Sequence, residues 1–344
     1  MRPVLRSLLI AVAQLLVVTA LAQRSPFNGL DVLPADSSGH YRILIGGHFH
    51  GESTNRSGYP AATLLANLDT INKLGADLFL STGDLFMDPL KDAGRYRRSL
   101  FRKLKVPLFN APGNHDISSG GGNGDGAFPI GRSAESEFVL LNTETGDGTL
   151  DREQLKKLRM IMGKRDSTSP GYVFIICHRP IWAEDDPQYS SLFEGNTRSV
   201  TGTNFKKDVY PLLQKIAEYA HVYWISGSMG GFAPSSIFFQ EHAHNITYIQ
   251  CAIRDEPRDA LLIADVYPDT IRWSSFSLTG QKLLAPEMYD AAWWRDHLKK
   301  DKPGFNWRLL PYLIKTTVLR AEFWWGVGVT GLLALLIGRF RRRR

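Results

Sequence analysis

Gly113-Asn114-His115-Asp116 sets an amide, an imidazole and a carboxylate in consecutive positions after a predicted strand, thirty residues beyond Gly83-Asp84. His48 and His50 follow an earlier apolar run that closes in Gly46-Gly47, and His178 follows the run 172–177. Carboxylate and amide oxygens suit hard divalent cations, and imidazole suits Zn or Fe. Delivered at strand ends, such donors sit on rigid supports, as a metal centre requires. The chemistry these residue types offer is cation ligation.

The elements that must position them are legible from periodicity. Residues 41–46 form a short apolar strand; Leu64, Leu65, Leu68, Ile71 and Leu74 then recur at helical spacing, with Gly75 as a stop. Strand 77–82 leads to Asp84, a basic helix follows around 95–104, and strand 106–110 leads to the Asn-His-Asp turn. A Gly-rich tract at 118–126 reads as a loop. Next come strand 138–142, an acid-started helix 151–162, the strand before His178, a helix near 208–219 and strand 222–226. Strands dominate from there to about 277, among them 246–253, 261–266 and 271–276. A βαβαβ start followed by strands predicts two sheets packed face to face, with helices outside.

The ends differ from the body. The chain has 344 residues and a formal charge of +7, but Arg2, Arg6, Arg339 and Arg341 to Arg344 account for all of that excess. A neutral body with basic ends argues against a nucleic-acid partner. Residues 1–22 read as a signal peptide, with a charged start, an apolar run from Leu8 to Leu21 and Ala20-Leu21-Ala22 as a cleavage site; an uncleaved anchor helix is the alternative. Residues 23–40 read as a lead-in linker and 281–322 as a Trp-containing juxtamembrane segment. Residues 323–338 read as a transmembrane helix closed by the basic tail 339–344. Sixteen residues rise about 24 Å, so snorkelling arginines must make up the span. The positive-inside rule puts the arginines in the cytoplasm and the body outside it; the run and Arg cluster also look like a bacterial C-terminal sorting signal. Cys177 and Cys251 read as two buried thiols, with a disulfide open if their strands adjoin. Arg95, Arg97, Arg98, Arg102 and Lys103 read as a solvated helix face, and the sequons at Asn55 and Asn245 matter only in a glycosylating host.

The ordered motifs resemble the calcineurin-like metallophosphoesterase superfamily, in its purple-acid-phosphatase-like branch, over about 41–280. The family pattern is Asp-x-His, Gly-Asp, Gly-Asn-His-Asp/Glu, an isolated His after a strand, then Gly-His-x-His. The resemblance implies an α/β fold, a four-layer αββα sandwich of two mixed β-sheets flanked by helices. It also implies one or two divalent ions (Zn, Fe or Mn). On the matching positions, His50 and Asp84 fall on ligands, Asp84 bridging, with Asn114 and His178 serving the second ion. His115 would act on the leaving oxygen, with Asp116 as its orienter. Leu140 to Glu144, with Asp151 and Gln154, also resembles a strand and helix of the family.

Two motifs depart from it. His48 stands where the first motif has aspartate, removing a negative charge and shifting preference from Mg or Mn toward Zn or Fe. Gly227-Ser228-Met229-Gly230 stands where the last motif has two histidines, and neither serine nor methionine is a normal ligand for a hard cation. His48, His50 and Asp84 remain for one ion, and Asp84, Asn114 and His178 for the other. Glu241-His242-Ala243-His244 could replace the lost pair if its strand end turned into the cleft; two surface histidines in a polar turn is the alternative.

The resemblance thus implies an exported, membrane-anchored phosphoesterase acting on a phosphate mono- or diester. Its substrate would be a phosphorylated small molecule or a lipid-linked phosphate. The alternative is a non-catalytic binding or scaffold protein of an envelope assembly, because losing two ligands weakens metal affinity.

Overall fold

Apolar runs that end in small residues make the strands, and their alternation sets the layers. In the computed structural model, residues 23–33, 35–52, 58–117, 136–163, 171–184, 186–193, 202–298 and 304–342 are described. The expected signal peptide, the Gly-rich tract and the sequon at Asn55 lie outside them.

In the first sheet β1 (Tyr41–Gly46), β2 (Leu78–Ser81) and β3 (Leu108–Asn110) run parallel, with Ile43 opposite Leu78 and Phe79 opposite Leu108. The second sheet holds β4 (Ser136–Leu140), β5 (Tyr172–Ile176), β6 (His221–Ser226), β7 (Ile237–Ala243) and β8 (Ile246–Cys251). The chain then returns to the first sheet as β9 (Ala260–Val266) and β10 (Ile271–Ser277). Strand orders are β10-β9-β1-β2-β3 and β4-β5-β6-β8-β7, each five-stranded and mixed.

Successive side chains on a strand face opposite ways. On β1, Leu44 packs outward with Leu64, Leu68 and Ile71 from the helices Ala62–Ala66 and Leu68–Lys73, while Ile43 and Ile45 join the larger core shared with the second sheet. Helices Arg152–Met162 and Tyr210–Ile216 cover the second sheet through Leu155, Leu158, Leu213 and Ile216. The result is the expected αββα sandwich of two mixed sheets. β5 is buried along its whole length, which is why it reads as a continuous apolar run rather than an alternating one.

Several boundaries differ from the periodicity. The expected helix over 64–74 breaks at Asn67, whose side-chain amide donates to the Thr63 and Leu278 carbonyls (2.8 and 2.7 Å). The basic helix starts at Pro89, not near 95, because Asp88 caps it by accepting from the Leu90 amide (3.2 Å) and proline suits the first turn. The lead-in packs on the edge strand β3: Ser25 Oγ donates to the Leu108 carbonyl (2.7 Å) and Asn28 Nδ2 to the Val106 carbonyl (2.8 Å). Those bonds satisfy backbone groups that a sheet edge leaves open.

The expected juxtamembrane segment divides. Helix Ala291–His297 belongs with the sandwich, since Trp294 is fully buried and its Nε1 donates to the Ile237 carbonyl of β7 (2.9 Å). Its tryptophans look interfacial by composition, yet an indole that buries its ring and finds an acceptor is at home in a core. One compact unit extends through Pro303, and residues from Gly304 onward form a second. In that second unit, helix Leu310–Val318 is followed by helix Ala321–Arg342, a candidate membrane span by length and composition. Its side chains are exposed from Ala321 to Arg339.

Candidate metal centre

Parallel strands bring their carboxyl ends to one edge of the sandwich, and the turns that leave them carry the chemistry, as is general for open α/β sheets. The chain leaves β1 into Gly47-His48-Phe49-His50, β2 into Gly83-Asp84, β3 into Gly113-Asn114, β5 into His178 and β6 into Gly227. Cross-bonds tie these turns together. His48 N donates to the Gly83 carbonyl (2.9 Å), and the Gly227 and Ser228 amides donate to the His178 carbonyl (2.9 and 2.7 Å). Thr82 sits among them: its Oγ1 donates to the Cys251 carbonyl (2.8 Å), and its own carbonyl accepts from His178 Nδ1 (2.9 Å).

The approach is too close for side chains at three of the turns. A Cβ on Gly47 or Gly227 would fall on Thr82, and one on Gly113 on the Asp84 carboxylate and amide. His48 and Asp84 themselves adopt the left-handed region, at φ +56° and +59°, which is uncommon for residues other than glycine. Such backbone persists only where surrounding contacts enforce it, and it clusters at functional sites.

Asp84 Oδ2 is the focus. It lies 3.4 Å from His50 Nε2, 3.4 Å from His178 Nε2 and 3.7 Å from His48 Nε2, and all four residues are buried. Asp84 Oδ1 is occupied, accepting from the His115 amide (3.0 Å). A carbonyl can only accept, so His178 Nδ1 carries its proton toward Thr82 and leaves Nε2 with a lone pair aimed at a carboxylate. Two acceptors that face each other in a buried site require a cation between them, a proton or a metal ion. Among the described residues, His178 Nε2 and both ring nitrogens of His48 are buried without a hydrogen-bond partner. Burial first, and then the neighbouring His50, His178 and Arg254, hold the His48 imidazole well below its ordinary pKa against the pull of Asp84. A neutral imidazole with an open lone pair is the form that ligates a metal.

His48, His50 and Asp84 each offer a donor atom within 4.8 Å of the others, a spacing a single ion could bridge. The donor set therefore fits a divalent cation. Burial opposes charge on Asp84, but His178, His50 and His48 outweigh it and hold the carboxyl far below its usual range. That is the anionic form a shared ligand needs.

The third turn places Asn114 at the head of the short helix Asn114–Ile117, half-buried beside Asp84. The His115 ring stands 4.9 Å from that of His50, and its Nδ1 donates to the Met87 carbonyl (3.2 Å). Asp116, expected to orient His115, accepts from the Asp84 amide, Asn110 Nδ2 and the Gly113 amide (each 2.9 Å), and from the Phe86 amide (3.2 Å). Two of these donors come from the left-handed turn at Asp84, whose amides need an acceptor, and two from the end of β3. Asp116 is a brace for the Asp84 turn.

The strand-end histidines His242 and His244 do not join the cluster. β7 pairs antiparallel with β8, and Ile246 of β8 lies opposite Val222 near the start of β6. The hairpin is therefore at the far end of the sheet from Gly227. His242 bonds Tyr189 Oη through Nδ1 (2.8 Å), and both histidines line a separate cavity of about 560 Å³.

Other residues of the centre lie outside the motifs. Arg179 donates through Nε to both Glu144 oxygens (3.0 and 3.1 Å) in a buried pair that fixes the turn after His178. Loop 254–259, between β8 and β9, is charged at five of six positions, and Arg254, Glu256, Arg258 and Asp259 in it are buried. A charge run between strands reads as solvated loop; the signal against that reading is that both signs alternate within one short turn.

A family model described as calcineurin-like phosphoesterase matches residues 41–311. No curated protein matches the sequence. Among solved structures, the chain is similar to a purple acid phosphatase from yellow lupin (Lupinus luteus) seeds, with a TM-score of 0.51 and 11% identity over 74% of this chain and 55% of that one. It also matches a dimetal phosphatase from Danio rerio (TM-score 0.47, 12% identity, 69% of this chain and 96% of that one). GAP50, described as the anchor in the inner membrane complex of Plasmodium, matches with a TM-score of 0.46 and 12% identity, over 77% and 98% of the two chains. The lupin comparison speaks to the fold alone.

Proposed function

Because the chain belongs to the calcineurin-like phosphoesterase family, we propose that it is an exported, membrane-anchored, metal-dependent phosphoesterase that hydrolyses a phosphate mono- or diester. The observation that carries this reading is the convergence of three imidazole Nε2 atoms on one oxygen of Asp84. His48, His50 and Asp84 would hold one ion, with Asn114 and His178 beside Asp84 as donors toward a second. Imidazole-rich ligation favours Zn or Fe, with Mn as the remaining candidate. A divalent ion bound there supplies Lewis acidity toward a phosphoryl oxygen and a water ionised near neutral pH.

The chain's own groups do the rest. Thr82 keeps His178 in the tautomer with Nε2 open, and Asp116 keeps the Asp84 turn in its left-handed form. His115 donates through Nδ1 to the Met87 carbonyl, which orients the ring that would protonate or stabilise a leaving oxygen. General-acid catalysis of that kind is worth about 10²–10⁴ in rate. The substrate is a phosphorylated small molecule or lipid-linked phosphate. The helix Ala321–Arg342, with Arg339 and the arginines beyond it, supports an anchor whose arginines are cytoplasmic and whose body faces out.

A second reading, a non-catalytic scaffold of an envelope assembly, is favoured by one observation: Ser228 and Gly230 stand in register with the two histidines of the family's last motif. Purified protein loaded in turn with Zn, Mn and Fe and assayed on aryl phosphates separates the two. Asp84→Asn and His115→Ala are expected to lower kcat/KM by at least about a hundredfold. Turnover equal to wild type in both variants, or a wild-type protein that retains no metal after loading, sinks the enzyme reading.

A further inference from the structure

At the edge of the sandwich opposite the metal centre, the two sheets part around the cavity of about 560 Å³. Strand register fixes which side chains enter it. Tyr223 of β6 lies opposite Thr247 of β8, and Thr247 lies opposite Glu241 of β7, so the three share one face of their sheet. Trp273, from β10 of the first sheet, meets that face. Its ring stands 5.1 Å from that of Tyr223 at 58°, and 5.4 Å from that of Phe239 at 72°. Glu287, from the short turn Pro286–Met288, adds a second carboxylate to the wall.

Three rings inclined to one another make a box rather than a stack, and each ring face carries negative potential. Trp273 is only half-buried, so its ring stays open to the cavity. The wall holds two carboxylates and three histidines, with no lysine or arginine. Neither Glu241 nor Glu287 makes an ion pair among the described residues. Both act on one ring: burial pushes the Tyr223 phenol up to about 12, and the two carboxylates add to that push against a hydrogen bond from Trp273. Of the histidines, His242 is spent on Tyr189, and burial holds its pKa down. A bare metal ion does not suit this wall. Among the described residues, no three of its donors come within 4.8 Å of one another, as those of His48, His50 and Asp84 do. Negative ring faces beside unpaired carboxylates, in a space of small-molecule size, select an organic cation.

We propose that this cavity binds a quaternary ammonium group, with Tyr223, Phe239 and Trp273 around its methyls and Glu241 and Glu287 as its counter-charges. A quaternary ammonium is preferred to a primary one because rings replace its weak hydration, whereas a primary ammonium holds its water strongly. Free choline and the headgroup of a choline lipid carry the same group. The site is separate from the metal centre and stands independently of the phosphoesterase reading.

Calorimetry on the full chain in a maltoside detergent tests it with choline and with dimethylbutanol, the uncharged carbon isostere. Choline is expected to bind saturably, and the isostere about tenfold more weakly or not at all. Trp273→Leu, which removes the central ring, should weaken choline binding about tenfold. Because that change also touches the core, a variant with both Glu241→Gln and Glu287→Gln decides alongside it. Both side chains are exposed, so the fold is kept, and choline should bind severalfold more weakly. No saturable binding of choline, equal affinity for the isostere, or a double variant that binds choline as wild type does overturns the proposal. The full chain in discs of phosphatidylcholine and of phosphatidylglycerol then separates the sources. Weaker choline binding in the phosphatidylcholine discs supports the lipid headgroup as occupant, and equal affinity in both supports the free cation.

Discussion

Asp84 divides its work between two oxygens, Oδ1 tied to the His115 amide and Oδ2 left facing three imidazoles. That division depends on Gly113, because a side chain there would strike both the carboxylate and the amide of Asp84. Gly113→Ala is therefore expected to displace Asp84, weaken metal binding at least tenfold and cost about 1–3 kcal/mol as overpacking. Metal titration with thermal melts checks it, and a variant that binds metal as wild type does would show the turn is looser than drawn. Asp84, His115 and His178 were legible in the sequence because each follows its strand by one to five residues, so local order reveals them. Asp116 was legible as a residue, but its bonds to amides of the Asp84 turn thirty positions earlier were not. Arg254 left no trace in the motifs. Its contact at Met229 forms only once β6 and β8 lie side by side.

At the scale of elements, loop 254–259 shows why charge runs mislead. Its side chains satisfy one another and the turns around them, so a stretch that composition assigns to solvent is buried. Asp259 pays for this: burial, and then the charge of Asp255, push its pKa up to about 7 against the pull of Arg258. The unfolded carboxyl titrates near 4. Between about pH 4 and 7 the folded chain therefore holds a proton that the unfolded chain has released. The group's contribution is most favourable below pH 4 and is lost as pH rises toward 7, at about 1.4 kcal/mol per pH unit. Asp84, whose pKa is depressed, acts in the opposite direction and below this window. Urea midpoints of metal-free wild type and Asp259→Asn, compared from pH 4 to 7, isolate the effect because the histidines are common to both. The difference should change with pH by several kcal/mol; parallel curves would mean that Asp259 is ionised throughout. Strand boundaries were easier to read than helix starts for the same reason: apolar runs are local, whereas the Asp88-Pro89 start needs its cap to be recognised.

At the scale of the whole molecule, the sandwich and the tail treat their apolar residues differently. The sandwich buries most of its large apolar residues, and even its Trp-containing tail segment is folded in through Trp294. The helix Ala321–Arg342 hides none: Leu332, Leu333, Leu335, Leu336 and Ile337 are each more than 40% exposed. An uncharged apolar face of that extent in water invites aggregation. The candidate span Ala321–Arg339 is 19 residues long and would rise about 28 Å, close to a ~30 Å hydrocarbon layer and longer than the sixteen-residue run alone. Hydropathy needs no tertiary information, so the sequence alone marks this segment as apolar; the burial of Trp294 in the segment before it depends on tertiary packing that hydropathy does not carry. Two measurements follow. The full chain should remain with membranes after a high-salt wash, and a chain ending at Arg320 should be released while binding the same number of metal ions. If the arginine cluster lies in the cytoplasm as proposed, protease added to cells stripped of any outer envelope should digest the body. Protection of the body from that protease would reverse the orientation and place the phosphoester substrate on the cytoplasmic side.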